Sequence, residues 1–140
     1  DLQTIILNTE IAVGIEIPEA RYKDWFPNFT LGDLICDDTA TGLIVVGNKV
    51  DPLDIDAFAH VQLNLYKDEE LIATGDSSEV LGNPLNAVLW LIKKLHSHGK
   101  QIKKGQVISS GTFISPLKLE YGTYRAEYSG IGTVEFKVSK

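Results

Sequence analysis

The sequence predicts an α+β domain dominated by sheet, and three observations carry that prediction. One segment, Pro84 to His98, is a helix marked at both ends: Asn83 suits the N-cap, Pro84 the first helical position and Gly99 the stop. Along it Leu85, Val88, Leu89, Ile92 and Leu95 form an apolar stripe. Several shorter segments instead alternate apolar and polar residues at the period of two that marks a half-buried strand. No repeat, linker or low-complexity stretch interrupts the 140 residues, which therefore read as one domain.

Taken in order, Asp1 to Ala12 has helical spacing through Leu2, Ile5, Ile6, Ile11 and Ala12, and Gly14 and Pro18 then punctuate the chain. Ile15 and Ile17 flank Glu16 in strict alternation, so the carboxylate faces away from its apolar neighbours on a short strand. Arg21 to Asn28 reads as a loop anchored by Trp25, Phe26 and Pro27, and Gly42 to Gly47 as a buried strand. Ala59 to Tyr66 alternates, turns through Lys67, Asp68, Glu69 and Glu70, and returns as Leu71 to Thr74, a hairpin. After the long helix, strands are expected at Val107 to Ser110, Tyr124 to Tyr128 and Thr133 to Val138, with Gly130 and Gly132 turning the last two.

Composition narrows the function. A net charge of −6 opposes binding to nucleic acid or to an anionic membrane, since both surfaces are negative. No apolar run approaches the roughly 20 residues of a membrane span, so a cytoplasmic protein with a small polar substrate is expected. Cys36 is the single cysteine, without a bridging partner, and is expected to be a small buried hydrophobe. The chain opens on Asp1 rather than Met and runs at once into a helical pattern, which leads us to expect an upstream part.

Two segments then point further. Residues 80–91 read VLGNPLNAVLWL, and residues 14–22 read GIEIPEARY, with DLICDDTA at 33–40. These resemble, in order and spacing, the VLGNPLNAVLWLA, PAIEIVDSRY and DTVADNAS-like stretches of the 2-keto-4-pentenoate hydratase and 4-oxalocrotonate decarboxylase family, a branch of the fumarylacetoacetate hydrolase-like proteins. Gly111, Thr112 and Phe113 stand where that family has a TGS-like turn, and Gly130 to Val134 resembles its GLGSV strand. Members are considerably longer, so the resemblance implies that this chain is the C-terminal part of a longer catalytic domain. It also implies a mixed β-sheet roll with one long packed helix.

The resemblance further implies a divalent metal, Mg²⁺ or Mn²⁺, held by three carboxylates, of which only Glu16 maps onto this chain; an E-x-E pair and an assisting lysine belong to the part that is absent. Such ions prefer hard oxygen donors and leave positions for substrate oxygens. The implied activity is that of a lyase acting on a small unsaturated 2-oxo acid or its dienol in aromatic catabolism. A hydratase is expected first. The alternatives are a decarboxylase, hydrolysis of a carbon–carbon bond, or a catalytically inactive assembly partner. The chain alone is expected to be inactive, and the protein to form a homo-oligomer or to associate with its own N-terminal half or a paired pathway enzyme.

By position, Asp37 is the candidate catalytic residue, preferred to Asp38, and Thr112 the candidate substrate-binding residue. Asp38 replaces a usual asparagine and Ala40 a common serine, which bears on substrate identity. Read from the residues alone, Glu16 would be an ordinary surface carboxylate, Asp37 and Asp38 ordinary turn chemistry, and Thr112 a turn hydroxyl. Arg21 is expected to pair structurally with Glu19 or Asp24. His60, His96 and His98 show no metal-binding pattern, and the last two, with Lys93 and Lys94, suit the negative end of a helix dipole.

Overall fold

A computed structural model describes residues 1–24 and 28–140. The expected anchoring by Trp25, Phe26 and Pro27 lies outside the described residues. In chain order the α-helices and strands are α1 (Leu2–Leu7), β1 (Ile11–Ile17), α2 (Leu31–Cys36), β2 (Leu43–Val50), β3 (Gln62–Lys67), β4 (Glu70–Asp76), α3 (Pro84–Ser97), β5 (Gly122–Tyr128) and β6 (Gly132–Val138). β1 and β2 form one two-stranded sheet, and β4-β3-β5-β6 a four-stranded one. All pairings are antiparallel, so the α+β class holds, although the expected mixed sheet does not appear among the described strands.

The two sheets share one core. Val13 of β1 is buried among Leu63 and Leu65 of β3, Ala126 of β5 and Val134 of β6, with Ile15 and Val45 packed against them. Between Ala12/Lys49 and Gly14/Val46 the register slips by one, so that Gly47 and Asn48 oppose Val13 alone. Gly47 is required there, since a Cβ at that position would lie 2.6 Å from Val13 Cγ2.

The β3–β4 hairpin turns through Asp68 and Glu69, both at positive φ, a conformation normally left to Asn-Gly. Side-chain bonds offset the strain: Asp68 Oδ1 accepts from the Thr123 amide at 2.8 Å, and Glu69 pairs with Arg125, which stacks over the Tyr66 ring.

α3 starts as expected. Asn83 accepts from the Leu85 amide at 2.9 Å, and its Nδ2 donates to the Ile55 carbonyl at 2.8 Å, tying the helix start to the preceding loop. Its stripe, however, is buried only at the first turn, where Leu85 joins Ile5 and Phe58 in a second small core that also gathers Val88 and Leu89. Toward the C-terminus Ile92 is exposed, and Leu91 and Leu95 line an open groove of about 740 Å³ against residues 99–109. The long helix is thus packed over its first half only.

Other expectations are corrected. α1 ends at Leu7, because Asn8 Nδ2 and Thr9 Oγ1 fold back onto the carbonyls of Thr4 and Ile5 and compete with helix continuation. Ile11 and Ala12 then belong to β1, and Gly14 lies inside that strand. The strand expected from Gly42 to Gly47 runs from Leu43 to Val50 and is not buried, with Ile44 and Val46 each 44% exposed. Val107 to Ser110 forms no strand. Residues 31–36, not expected to be helical, form α2, started by a capping box between Thr30 and Asp33. Cys36 at its end is exposed rather than buried.

Leu85→Ala should cost about 2–5 kcal/mol in urea unfolding, as a truncation in a closed core does. Leu95→Ala, which faces the open groove, should cost under about 1 kcal/mol.

Candidate functional site

Glu16 sits near the end of β1, opposite Ile44 of β2. Because Val13 and Ile15 face the shared core, alternation turns Gly14 and Glu16 to the other face, where Glu16 is exposed beside the apolar Ile44 and Val46. No ion pair among the described residues engages it. A carboxylate with free lone pairs on a fixed strand is a suitable hard oxygen donor for a cation. Yet no group of three or more His, Cys, Asp or Glu side chains among the described residues could hold a metal ion. Of the three carboxylates that the resemblance implies, Glu16 is the one that maps onto this chain.

Beyond β1 the chain returns against the segment that leads into β2. The Glu19 amide donates to the Ala40 carbonyl at 2.9 Å, and a Cβ on Gly42 would lie 2.2 Å from the Ile17 carbonyl oxygen, so only glycine permits this approach. Asp38, Thr39 and Ala40 are consecutive non-glycine residues at positive φ, each disfavoured by roughly 1–2 kcal/mol.

Arg21 braces this left-handed turn. Its Nη1 bonds the Asp37 carboxylate at 3.2 Å and the carbonyls of Asp37 and Glu19 at 3.4 Å, while Nη2 reaches the Thr41 carbonyl at 2.6 Å. The partner of Arg21 is therefore Asp37, and at Glu19 the contact is to the backbone, not to the carboxylates of Glu19 or Asp24 as expected. The Asp37 side chain is 8% exposed and also receives the Arg21 amide. The neighbouring Tyr22 hydroxyl is shielded from solvent without a well-formed hydrogen bond; that shielding and the adjacent Asp37 raise its pKa.

Thr112 lies in an exposed turn, its hydroxyl donating to the Ile114 carbonyl at 3.0 Å. The next residue, Phe113, meets the Tyr128 ring edge-on at 5.6 Å. Tyr128 in turn donates its hydroxyl to the Gly14 carbonyl at 2.8 Å, two residues before Glu16. Burial first, and the Glu16 charge second, raise its pKa. Tyr128 thus connects the Thr112 turn with the strand of Glu16, whereas Asp37 joins that strand only through the Glu19 and Gly42 contacts. Sequence reasoning passed over this tyrosine; its place on the core side of β5 with Tyr124 and Ala126 was the available signal, since a buried hydroxyl needs a partner.

Comparisons with known proteins agree on one group. The chain is 33% identical over 133 residues to a 2-keto-4-pentenoate hydratase of Burkholderia vietnamiensis, covering 93% of this chain and 50% of that protein. A protein of the same name from Paraburkholderia phymatum is 31% identical over 129 residues, 91% of this chain and 48% of that one. The chain therefore spans about half the length of the curated relatives it matches. Among solved structures, 4-oxalocrotonate decarboxylase from Pseudomonas putida G7, complexed with magnesium and adipate, superposes with a TM-score of 0.78 at 21% identity over 96% of this chain and 51% of that one. The same enzyme complexed with calcium and acetate gives 0.80. No family model matches.

Arg21→Gln should release the strained turn, seen as faster amide hydrogen exchange at residues 38–41 with little change in β3–β6. Tyr128 makes a second test. A raised folded pKa means that its contribution is complete below the unfolded value near 10 and is lost as pH rises through the folded value. Stability should therefore fall more steeply above about pH 10 in the unmodified protein than in Tyr128→Phe, as measured by urea midpoints.

Proposed function

We propose that this chain, a relative of the 2-keto-4-pentenoate hydratases over nine-tenths of its length, is the C-terminal part of a metal-dependent lyase acting on a small unsaturated 2-oxo acid or its dienol, with addition of water as the reaction. Its antiparallel sheets and main helix would form part of a fumarylacetoacetate hydrolase-like roll. The observation that carries the proposal is Glu16: an exposed carboxylate engaged by no ion pair among the described residues, on an apolar strand face, at the position the family resemblance gives to a metal ligand.

In this reading Glu16 supplies one anionic oxygen toward Mg²⁺ or Mn²⁺, and the remaining ligands come from sequence outside this chain, so the chain alone is inactive. When bound, such an ion polarises a substrate carbonyl and stabilises enolate charge. Tyr128 and the β1–β2 pairing hold the Glu16 backbone in place. Asp37 enters as the candidate catalytic group at the edge of the site; while paired with Arg21 it fixes the strained turn, and a direct proton-transfer role requires that pair to open. The Thr112 hydroxyl, now bonded within its own turn, is the candidate for orienting the substrate. A second reading, decarboxylation, is favoured by the fold likeness to 4-oxalocrotonate decarboxylase; release of CO₂ from a 2-oxo diacid would distinguish it.

In the complete protein, Glu16→Gln should abolish the metal-dependent loss of the dienol's ultraviolet absorbance, well beyond the ~10–100-fold effect of losing an outer-shell partner, and should weaken Mg²⁺ binding in equilibrium dialysis. An unchanged rate would remove Glu16 from the site.

A further inference from the structure

A strand interior is a poor place for glycine, which gives up more backbone entropy than any other residue and brings no side chain to pack. In β2 and β4 the fold itself requires it, since a Cβ would lie 2.6 Å from Val13 Cγ2 at Gly47 and 2.4 Å from the Phe113 carbonyl oxygen at Gly75. Gly14 of β1 has no such cause. Its φ lies outside the left-handed region, and a Cβ there would meet nothing nearer than the Val45 carbonyl oxygen at 3.5 Å and Ile44 Cδ1 at 3.7 Å, both ordinary contact distances. The remaining reason for a glycine inside a strand is the close approach of a ligand or of another backbone.

The surroundings of Gly14 favour a ligand. It shares a face with Glu16 and pairs with Val46, while Ile44 pairs with Glu16; both apolar side chains are exposed, and Gly14 itself is partly so. The Tyr128 hydroxyl holds this stretch of backbone through the Gly14 carbonyl. Residues two apart on a strand are separated by about 7 Å, so a short hydrocarbon chain held at Glu16 reaches across Gly14. We propose that Gly14 is a specificity-determining residue: having no side chain, it floors a shallow apolar trough beside Ile44 and Val46 that takes the hydrocarbon tail of the 2-oxo acid, and so selects a substrate whose far end is an uncharged carbon chain. This role depends on Glu16 being a metal ligand. A second carboxylate at the far end is disfavoured, because the next cation along β2, Lys49 opposite Ala12, is bonded to Glu10 at 2.9 Å.

Calorimetric titration of the complete protein in Mg²⁺ with saturated 2-oxo acids provides the test, since these carry no double bond for water to add to and binding alone is read. Replacing 2-oxobutanoate by 2-oxohexanoate adds two CH₂ groups and should tighten binding roughly tenfold. Gly14→Ala, which brings a methyl group into the trough at ordinary contact distances, should reduce that ratio to about threefold or less. Ile44→Thr, which keeps a β-branched strand residue but makes the wall polar, should do the same; both variants are first checked by circular dichroism. Because the ratio is measured, a general loss of affinity does not imitate the effect. Equal affinity for the two acids in the unmodified protein, as expected where another backbone lies against Gly14, would overturn the proposal. So would a ratio that survives both substitutions, or tighter binding of 2-oxohexanedioate than of 2-oxohexanoate. Binding of neither acid, or binding indifferent to Mg²⁺ and to Glu16→Gln, would instead remove Glu16 as a metal ligand, and the role of Gly14 with it.

Discussion

The insertion of Val13 into the core of the larger sheet organises this molecule. One side chain from the two-stranded sheet fills space between Leu63, Leu65, Ala126 and Val134, and thereby fixes how the sheets meet. Strand geometry dictates the rest of β1. Residues two apart share a face, so Val13 and Ile15 point inward and Glu16 has no choice but to point outward. The bulge opposite Val13 and the missing side chain at Gly47 are the local adjustments that let the valine enter. The Tyr128 hydroxyl bond to Gly14 then closes the contact from the other sheet.

Around this junction the chain carries more backbone strain than its composition suggests. The turns at Asp38–Ala40 and Asp68–Glu69 place non-glycine residues at positive φ, and each is held by side chains distant in sequence: Arg21 in the first case, Arg125 and the Asp68 contact with Thr123 in the second. Strain of this kind persists where surrounding contacts over-determine the conformation. The first turn meets the chain just beyond the strand of Glu16, through the Glu19 amide and the Ala40 carbonyl. Asp37 is then a residue with a structural engagement already in place, which any catalytic use must interrupt.

Patterns with local causes were legible. The α3 start could be read because Asn83 and Pro84 act on their own helix, and the β3–β4 and β5–β6 hairpins because alternation and turn residues are neighbours in sequence. The outward face of Glu16 came from the same parity. The end of α1 and the existence of α2 were harder. Asn8 and Thr9, polar residues interrupting a helical pattern, compete for its carbonyls, and a six-residue helix shows too little periodicity to be seen except through its Thr30–Asp33 cap.

By itself, then, the sequence determined the sheet-dominated class, the main helix, the orientation of Glu16 and the family resemblance, all of which rest on residues a few positions apart or on an ordered motif. Only the tertiary structure decided that β2 is half exposed, that Arg21 holds Asp37 rather than a nearer carboxylate, and that Tyr128 bridges the Thr112 turn to β1. It also decided that α3 buries only its first half. Those outcomes depend on contacts between segments tens of residues apart, whose pairing is set by how the two sheets and the small second core pack, and no local periodicity encodes that packing.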